Sequence, residues 1–372
     1  MHFQNLRSLR ESIDRGSTMA VREELLRNIR SVEPYVPGEQ PQHKVVKLNT
    51  NENPYPPAPG VERVLKEMDT DRFRLYPDPT ADELVGSLAD YYGVGKDQVF
   101  VGVGSDDVIS MCFLTFFNSE KPILFPDITY SFYDVWADLL RIPYERPALD
   151  EEFHIRKEDY FRENGGIVFP NPNAPTGVEM PRSEIEEIVA KNPESIVIVD
   201  EAYVDFGAAS ALPLIEKYDN LLVVQTFSKS RSLAGMRIGY AFGNPELIKY
   251  LNDVKYSFNS YTMDRTTIAA GVASMEDKAY FEECCHKIIT TREWTKAELR
   301  KLGFSFQDSR SNFIFATHES CPAKELFAAL REKHIYVRYF PKDRIDNHLR
   351  ITIGTDEEMK KLVEFLTEYL QK

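Results

Sequence analysis

The sequence predicts an α/β protein with a mostly parallel central sheet in a large domain, plus a smaller α+β domain. Three observations support this prediction. From residue 99 onward, short and nearly continuous apolar runs alternate with helix-length segments, a pattern typical of parallel strands covered on both faces. After Met263 the pattern changes to one long helical stretch followed by a mixture of strands and helices. The chain of 372 residues is long enough for two domains.

The elements of the large domain follow from these runs. A helical pattern interrupted by turn signals covers residues 61 to 92. Each apolar run that follows has the length of a strand and is bounded by glycine, proline or polar residues. The predicted strands are QVFVGV, KPILF, GGIVFP, SIVIVD, LLVVQTF and RIGYAF.

The smaller domain is predicted from the remaining elements. A helical stretch runs to about residue 301, and further helices are expected over 323–333 and 357–370. The strands SNFIFA, HIYVRY and LRITI complete this part of the chain. We expect residues 1–30 to form an N-terminal arm, 57–275 the large domain, and 31–56 with 276–372 the small domain.

The composition argues against several classes of protein. The net charge of −14, with no long basic tract, disfavours nucleic acids and anionic membranes as partners. No apolar run approaches the length of a membrane span. The cysteines and histidines lack the spacing of a metal site, so we predict no metal, reduced cysteines and a cytoplasmic location. Residues 1–18 lack the apolar core of a secretory signal and are left out of the fold prediction.

Polar and charged residues directly follow three of the predicted strands. Asp200 ends SIVIVD, Lys229 follows LLVVQTF, and the turn NPNAPTG follows GGIVFP. Ligands of α/β sheets bind beyond the carboxyl ends of the strands, so these groups are expected to share one site. A lysine amine at a partly desolvated strand end is a nucleophile suited to forming a Schiff base.

This set of residues suits pyridoxal 5′-phosphate. Besides a lysine, that cofactor needs an acid at its ring nitrogen, a donor to its phenolic oxygen and a cup for its phosphate. Asp200 suits the nitrogen, and Tyr203 suits the phenolic oxygen. Arg237, the hydroxyls of Thr226 and Ser228, and the backbone amides of GVGSDDV suit the phosphate. GVGSDDV lacks the third glycine of a dinucleotide fingerprint, so a simple strand-to-helix turn is the default interpretation there.

Nine motifs occur in order along the chain: PYVPG, KLNTNENPYPP, FRLYPDPTADEL, GVGSDDVI, YSFYDVW, NPNAPTG, VDEAYVDF, TFSKSRSLAGMRIGY and LRITIGT. Together they resemble the motifs of the fold type I, pyridoxal-phosphate-dependent aminotransferases. Within the class II members of that superfamily, the chain is most similar to the histidinol-phosphate aminotransferases. Each motif alone is modest, whereas nine at suitable spacings are specific.

The resemblance implies roles for the matching residues. Lys229 would hold the cofactor covalently and transfer protons, Asp200 would pair with the ring nitrogen, and Tyr203 would bond the phenolic oxygen. Tyr130 would stack on the ring. Tyr76 matches a tyrosine that the family passes to the neighbouring subunit's phosphate, which implies a homodimer with shared sites. The implied phosphate ligands are Ser105, Asp106, Thr226, Ser228 and Arg237.

Two positions depart from the family pattern. The usual motif NPNNPTG has a final asparagine at the phenolic oxygen, and Ala174 stands there, so that hydrogen bond is either missing or supplied by Asn173 or Asn171. Acidic residues Asp106 and Asp107 occur where a phosphate is expected. We expect backbone amides to bind the phosphate there, with both carboxylates turned away and capping the helix.

The resemblance also suggests how substrates bind. Arg350 matches the arginine that holds the substrate carboxylate, and Arg338 lies on a strand predicted to be adjacent, although it could be a surface residue. Two arginines would suit a phosphate dianion, and they could also accept glutamate. The segment KLNTNENPYPP should close over the site, with Asn51, Glu52 or Tyr55 near the substrate.

The resulting prediction is a transamination between histidinol phosphate and 2-oxoglutarate, in histidine biosynthesis. The alternatives among enzymes are an aminotransferase for aromatic or other amino acids and a threonine-phosphate decarboxylase. The alternative from another class is a regulatory protein that binds pyridoxal phosphate at a degenerate site.

Overall fold

The computed structural model describes residues 20–371, which form two compact units divided between Pro34 and Tyr35. In the first unit the described residues contain one short helix, α1 (Glu23–Leu26). The expectations for residues 1–18 lie outside the described residues. All other elements belong to the second unit.

The central sheet has seven strands in the order β2-β8-β7-β6-β5-β3-β4. Neighbouring strands from β7 through β4 are parallel, and β8 runs antiparallel to both β7 and β2. The predicted, mostly parallel sheet is therefore confirmed. The pair Tyr144–Glu145 was missed, because this short edge strand has no apolar run. The strands are β2 (Val99–Gly102), β3 (Ile123–Leu124), β4 (Tyr144–Glu145), β5 (Ile167–Pro170), β6 (Val197–Asp200), β7 (Leu221–Thr226) and β8 (Gly239–Gly243).

Helices cover both faces of this sheet. Alternate residues of each strand point to opposite faces, so Val199 and Ile198 belong to different hydrophobic clusters. One cluster includes side chains of α3, α6 and α8, and the other includes side chains of α4, α5 and α7. The helices are α2 (Pro59–Lys66), α3 (Asp82–Tyr92), α4 (Ser105–Phe116), α5 (Tyr133–Leu140), α6 (Arg182–Lys191), α7 (Pro245–Phe258) and α8 (Arg265–Glu276).

The last third of the chain is α+β, as predicted. Its antiparallel sheet has the order β12-β13-β10-β9, and β1 pairs in parallel with β11 in a separate two-stranded sheet. HIYVRY, expected to be one strand, therefore contributes to two sheets, with buried Val337 at the break. These elements are β1 (Val46–Lys47), α9 (Lys278–Lys301), β9 (Phe304–Phe306), β10 (Phe313–His318), α10 (Ala323–Glu332), β11 (Ile335–Tyr336), β12 (Arg338–Tyr339), β13 (Leu349–Thr352) and α11 (Asp356–Leu370).

The long helical stretch after Met263 is divided between α8 and α9 at Asp277, whose side chain accepts a hydrogen bond from the amide of Tyr280 at the start of α9. None of the helices within residues 20–371 is both long and apolar enough to cross a membrane. The division into an arm (1–30), a large domain (57–275) and a small domain (31–56 and 276–372) remains a prediction.

Candidate active site

A pocket lies beyond the carboxyl ends of β5, β6 and β7, where the sequence predicted the site. Its wall also includes the start of α4 and the segment that follows β1. Strands β6 and β7 are neighbours in register, which brings Asp200 and Lys229 to the same pocket. The predicted residues that line it are Glu52, Ser105, Asp106, Tyr130, Asp200, Tyr203, Ser228, Lys229 and Arg237.

Asp200 is a buried carboxylate at the end of β6. It accepts a hydrogen bond from the hydroxyl of Tyr133 (3.0 Å) and another from the backbone amide of Ala202 (3.2 Å). Burial raises the pKa of Asp200 to about 6, since these two bonds only partly replace water. Within the described residues Asp200 has no ion-pair partner, so a cation in the pocket would be stabilised there.

Lys229 extends from the turn after β7. Its Nζ donates to the carbonyl oxygen of Thr50 (3.2 Å) and lies 5.8 Å from the centre of the Tyr203 ring. The turn is fixed by the Thr226 hydroxyl, which accepts a hydrogen bond from the amide of Ser228 (3.1 Å). Among the described residues no carboxylate forms an ion pair with Lys229, so its amine is available to a ligand.

Donors to an anion gather at one end of the pocket. Arg237 places Nη1 3.5 Å from the Ser228 hydroxyl, and Ser105 stands at the start of α4. Amides at a helix start and a guanidinium both attract phosphate. Thr226 lies just behind this cup, with its hydroxyl donating to the Ser228 hydroxyl (3.0 Å) and contacting the Ile238 carbonyl oxygen (3.1 Å).

Two glycines make this anion cup possible. Gly104 has φ of +88°, and a Cβ there would lie 2.4 Å from Nη2 of Arg237. A Cβ on Gly239 would lie 2.3 Å from the carbonyl carbon of Gly104 and from the amide nitrogen of Ser105. The chain can therefore bring Arg237 against the start of α4 only because both positions lack side chains.

The expected orientation of Asp106 is wrong. Its carboxylate faces the pocket, accepts a hydrogen bond from the Tyr130 hydroxyl (2.7 Å) and lies 3.4 Å from Nη2 of Arg237. The Tyr130 hydroxyl and the Arg237 guanidinium stabilise this orientation of the carboxylate more than capping of α4 would stabilise the other. The carboxylate of Asp107 does turn away, and it accepts from the amide of Val103 (2.8 Å).

Tyr203 has a partner that the sequence did not identify. The side-chain amide of Asn51 donates to the Tyr203 hydroxyl (2.9 Å). Asn51 is held in turn by Thr352. The Thr352 hydroxyl donates to Oδ1 of Asn51 (2.9 Å) and accepts a hydrogen bond from the backbone amide of Asn51 (3.0 Å). The backbone of Asn51 is left-handed (φ 57°), a conformation that asparagine tolerates well. Asn51 is thus fixed behind Tyr203.

Ala174 lines the pocket, but neither neighbouring asparagine compensates for it. The side-chain amide of Asn173 donates to the Ile128 carbonyl (3.0 Å) and the Thr176 hydroxyl (3.0 Å). The side chain of Asn171 bonds the backbone of Met180 twice. Both asparagines therefore stabilise the loop after β5.

The two arginines predicted to bind substrate stand directly opposite each other on β12 and β13. Arg350 donates to the carbonyl oxygen of Asn49 (2.9 Å), while its buried Nε has no partner among the described residues. Burial lowers the pKa of Arg350. Arg338 lies 3.4 Å from the carbonyl oxygen of Val36. An anion between these guanidiniums would satisfy donors that the chain itself leaves free.

Tyr35, the second residue of the PYVPG motif, lies in the region of these arginines and was not predicted to have a role. Its ring stacks on Phe132 at 4.2 Å and lies 6.5 Å from the ring of Tyr130. Burial raises the pKa of the Tyr35 hydroxyl, and the charges of Arg338 and Arg350 offset part of that rise. Tyr133, the donor to Asp200, was also missed; its only signal was its position in YSFYDVW.

Two predicted residues lie away from the pocket. Tyr55 is packed near α9, with Lys287 Nζ 5.4 Å from its ring centre. Tyr76 is 79% exposed and stacks on Tyr261 at 4.6 Å. A residue so exposed contributes nothing to the pocket of its own chain.

The pocket, with its lysine, buried acid and anion cup at the strand ends of a mostly parallel sheet, defines a fold type I transferase. The family model "Aminotransferase class I and II" matches residues 43–366, and the chain belongs to this family.

Relatives and solved structures agree with this family. The histidinol-phosphate aminotransferase of Lactococcus lactis subsp. cremoris is 54% identical over 345 residues, which is 92% of this chain and 97% of the relative. That of Chromohalobacter salexigens is 53% identical over 338 residues, 91% of this chain and 96% of the relative. The structure of the Sinorhizobium meliloti enzyme in complex with pyridoxal-5′-phosphate has a TM-score of 0.83 at 23% identity, over 95% of this chain and 99% of that one. The predicted fold class is thereby confirmed.

Proposed function

We propose that this aminotransferase uses pyridoxal 5′-phosphate to transfer an amino group between histidinol phosphate and 2-oxoglutarate, in histidine biosynthesis. The observation that carries the proposal is the arrangement of Lys229, Asp200 and Arg237 around one pocket. The choice of amino substrate is supported by relatives of that name at 54% and 53% identity.

The residues present fit the cofactor. Asp200 is a buried acid without a cation, which suits a protonated ring nitrogen. Arg237, Ser228 and the start of α4 offer donors to a phosphate, in a space that a Cβ on Gly104 would fill. Lys229 lines the same pocket.

When bound, pyridoxal phosphate supplies an aldehyde that takes up amines and a ring that withdraws electrons from the substrate carbon. Lys229 would be the covalent anchor, and once released its Nζ would carry a proton away from the substrate carbon. Asp200 would hold the proton on the ring nitrogen, because among the described residues its buried carboxylate has no ion-pair partner. Tyr203, fixed by Asn51, would donate to the phenolic oxygen.

Tyr130 and Asp106 act as a unit beside the ring. The tyrosine hydroxyl is committed to the carboxylate at 2.7 Å, which would orient the Tyr130 ring as a stacking face. The same carboxylate steadies Arg237. We infer that Asp106 positions these two residues, while the backbone amides of α4 meet the phosphate.

The paired arginines would bind the anionic end of each substrate. Arg350 and Arg338 face each other across neighbouring strands, and the nearby Tyr35 hydroxyl offers a further donor. A phosphate dianion gains from two guanidiniums, and the carboxylate of glutamate can use the same pair.

We further propose a cytoplasmic homodimer in which Tyr76 completes the partner's phosphate cup. Segments 73–76 and 258–261 leave four large apolar side chains more than half exposed: Phe73 (53%), Leu75 (51%), Tyr76 (79%) and Phe258 (73%). Exposed apolar groups of this size are typical of an interface. The cytoplasmic location is supported by the cysteines, which are all unpaired.

Complementation tests this arrangement. Tyr76→Ala and Lys229→Ala chains should each be nearly inactive, and their mixture should regain activity because a heterodimer contains one intact site. Sedimentation should give a dimer. A monomer, or a mixture no more active than its parts, would contradict the shared site.

Steady-state kinetics test the reaction itself. We expect kcat/KM for histidinol phosphate to exceed that for phenylalanine and tyrosine. A hundredfold preference for the plain amino acids would favour the broader aminotransferase, and release of carbon dioxide without a keto product would favour the decarboxylase. An absorbance scan separates the regulatory alternative: the protein should show a band near the visible edge with pyridoxal phosphate, and Lys229→Ala should lose it.

A further inference from the structure

A charged cluster forms the side of the pocket opposite the sheet. Glu52 and Thr50 line the pocket, and Nζ of Lys47 contacts the Glu52 carboxylate and the Thr50 hydroxyl. The Thr50 hydroxyl donates to the same carboxylate at 2.7 Å. The carbonyl oxygen of Thr50 accepts from Lys229 at 3.2 Å, so the cluster stands next to the reacting amine.

Glu52 is held in its ionised form in the folded protein. Although burial raises the pKa of Glu52, hydrogen bonds from Lys47 and Thr50 and the charges of Lys47 and Lys229 lower it more, leaving the pKa below its ordinary value. Glu52 lines the pocket and its side chain is 40% exposed, whereas Lys47 of β1 is 25% exposed and is not among the described residues of the pocket wall. The carboxylate of Glu52 is therefore available to a ligand side chain, and the ammonium of Lys47 reaches one only by leaving Glu52.

The proposed reaction creates a recognition problem at this position. Both amino substrates must place their anionic end at the arginines and their nitrogen at Lys229, so their side chains occupy the same space. One side chain is an imidazole ring, which offers an N–H; the other is a carboxylate. An acidic residue alone would repel the substrate carboxylate, and a basic residue alone would bind the imidazole ring poorly.

We propose that the Lys47–Glu52 pair is the side-chain recognition unit that lets one pocket accept both substrates. Glu52 accepts the imidazole N–H, and Lys47 turns from Glu52 to the distal carboxylate of glutamate or 2-oxoglutarate. This assignment rests on the proposed function. The strand position of Lys47 fixes its backbone, and its long side chain gives it the reach to change partners.

The test measures each half-reaction separately. Histidinol phosphate or glutamate is added alone, and the loss of the cofactor's absorbance band is followed with time. This gives two second-order rate constants, one per substrate, for the wild type, Glu52→Gln and Lys47→Gln. Glu52→Gln should lower the constant for histidinol phosphate by roughly tenfold to a hundredfold, the usual effect of losing a charged hydrogen bond, and raise that for glutamate. Lys47→Gln should lower the constant for glutamate, because Glu52 is left uncompensated.

Equilibrium binding gives a second readout. In a Lys229→Ala background, which lacks the base for proton transfer and cannot complete the reaction, calorimetry should show at least about tenfold weaker binding of histidinol phosphate when Glu52→Gln is added. The matched control is Glu62→Gln, which breaks the exposed Lys66–Glu62 pair and makes the same charge change. It should leave the ratio of the two rate constants unchanged.

The outcomes separate this inference from the proposed function. If the wild type does not turn over histidinol phosphate, both are overturned. If it does, but Glu52→Gln and Lys47→Gln change both rate constants by the same factor, the pair has only a structural role and the inference alone is overturned.

Discussion

Replacing Asp200 by asparagine should raise the free energy of unfolding of the cofactor-free protein and lower its affinity for the cofactor. Asparagine has nearly the same shape, and it can keep both hydrogen bonds: Oδ1 accepts from the amide of Ala202, and the Tyr133 hydroxyl can rotate to accept from Nδ2. The substitution therefore removes the buried charge and little else.

The magnitude follows from the pKa of Asp200. Burial raises that pKa from an ordinary 3.8 to about 6. The folded protein then binds its proton more tightly than the unfolded chain does, so the free energy of unfolding falls as the pH rises from 3.8 through 6. At about 1.4 kcal/mol per pKa unit, the loss reaches about 1.5 kcal/mol near pH 5 and about 3 kcal/mol at pH 7.

Urea unfolding of the cofactor-free protein, followed by circular dichroism, measures this difference. The free energy of unfolding of Asp200→Asn should exceed that of the wild type by an amount that doubles from about pH 5 to pH 7. Burial also raises the pKa of neighbouring Glu201 to about 7, but that residue is present in both proteins and cancels in the comparison. An equal difference in the free energy of unfolding at pH 5 and pH 7 would refute the raised pKa of Asp200. It would also refute the explanation of why a cation is stabilised beside this carboxylate.

Three further substitutions test the architecture of the site and the core. Gly239→Ala should raise the cofactor dissociation constant at least about tenfold in absorbance titrations, because its Cβ would lie 2.3 Å from the backbone of Gly104; unchanged affinity would mean that the turn yields easily. Tyr133→Phe removes a donor that favours ionised Asp200, so the pH-dependent loss of stability should extend to higher pH, and a shift to lower pH would contradict this. Arg292→Met leaves two buried carbonyl oxygens without a donor and should cost about 3 kcal/mol in urea unfolding, where a change under 1 kcal/mol would count against it.

The strand ends could be predicted because hydrophobic patterning and chain connectivity determine them. An apolar run ends where the chain must meet water, so Asp200 and Lys229 were assigned to one edge of the sheet because each follows the carboxyl end of a predicted strand. The edge strand β4 carries no such signal, because its residues face solvent on one side.

Side-chain pairing inside the pocket could not be predicted in the same way. The orientation of Asp106 depends on Tyr130 and Arg237, which come from different loops, and helix capping was an equally reasonable expectation. The partner of Tyr203 is Asn51, from a segment that is hydrogen-bonded to Thr352 of β13 and lies outside the central sheet. Neither contact follows from local sequence, since both depend on the tertiary packing of distant segments.

The site concentrates charged groups that the described part of the chain leaves only partly satisfied. Ionised Asp200 destabilises the cofactor-free fold, and Nε of Arg350 is buried without an acceptor. A ligand that supplies a cation to the first and an anion to the second relieves both penalties, so its binding and the stability of the fold are linked. Because the penalty at Asp200 grows as the pH rises through 6, the stabilisation that the cofactor confers should also grow over that range. A protein that held these groups in satisfied pairs would be more stable alone and would bind the cofactor less tightly.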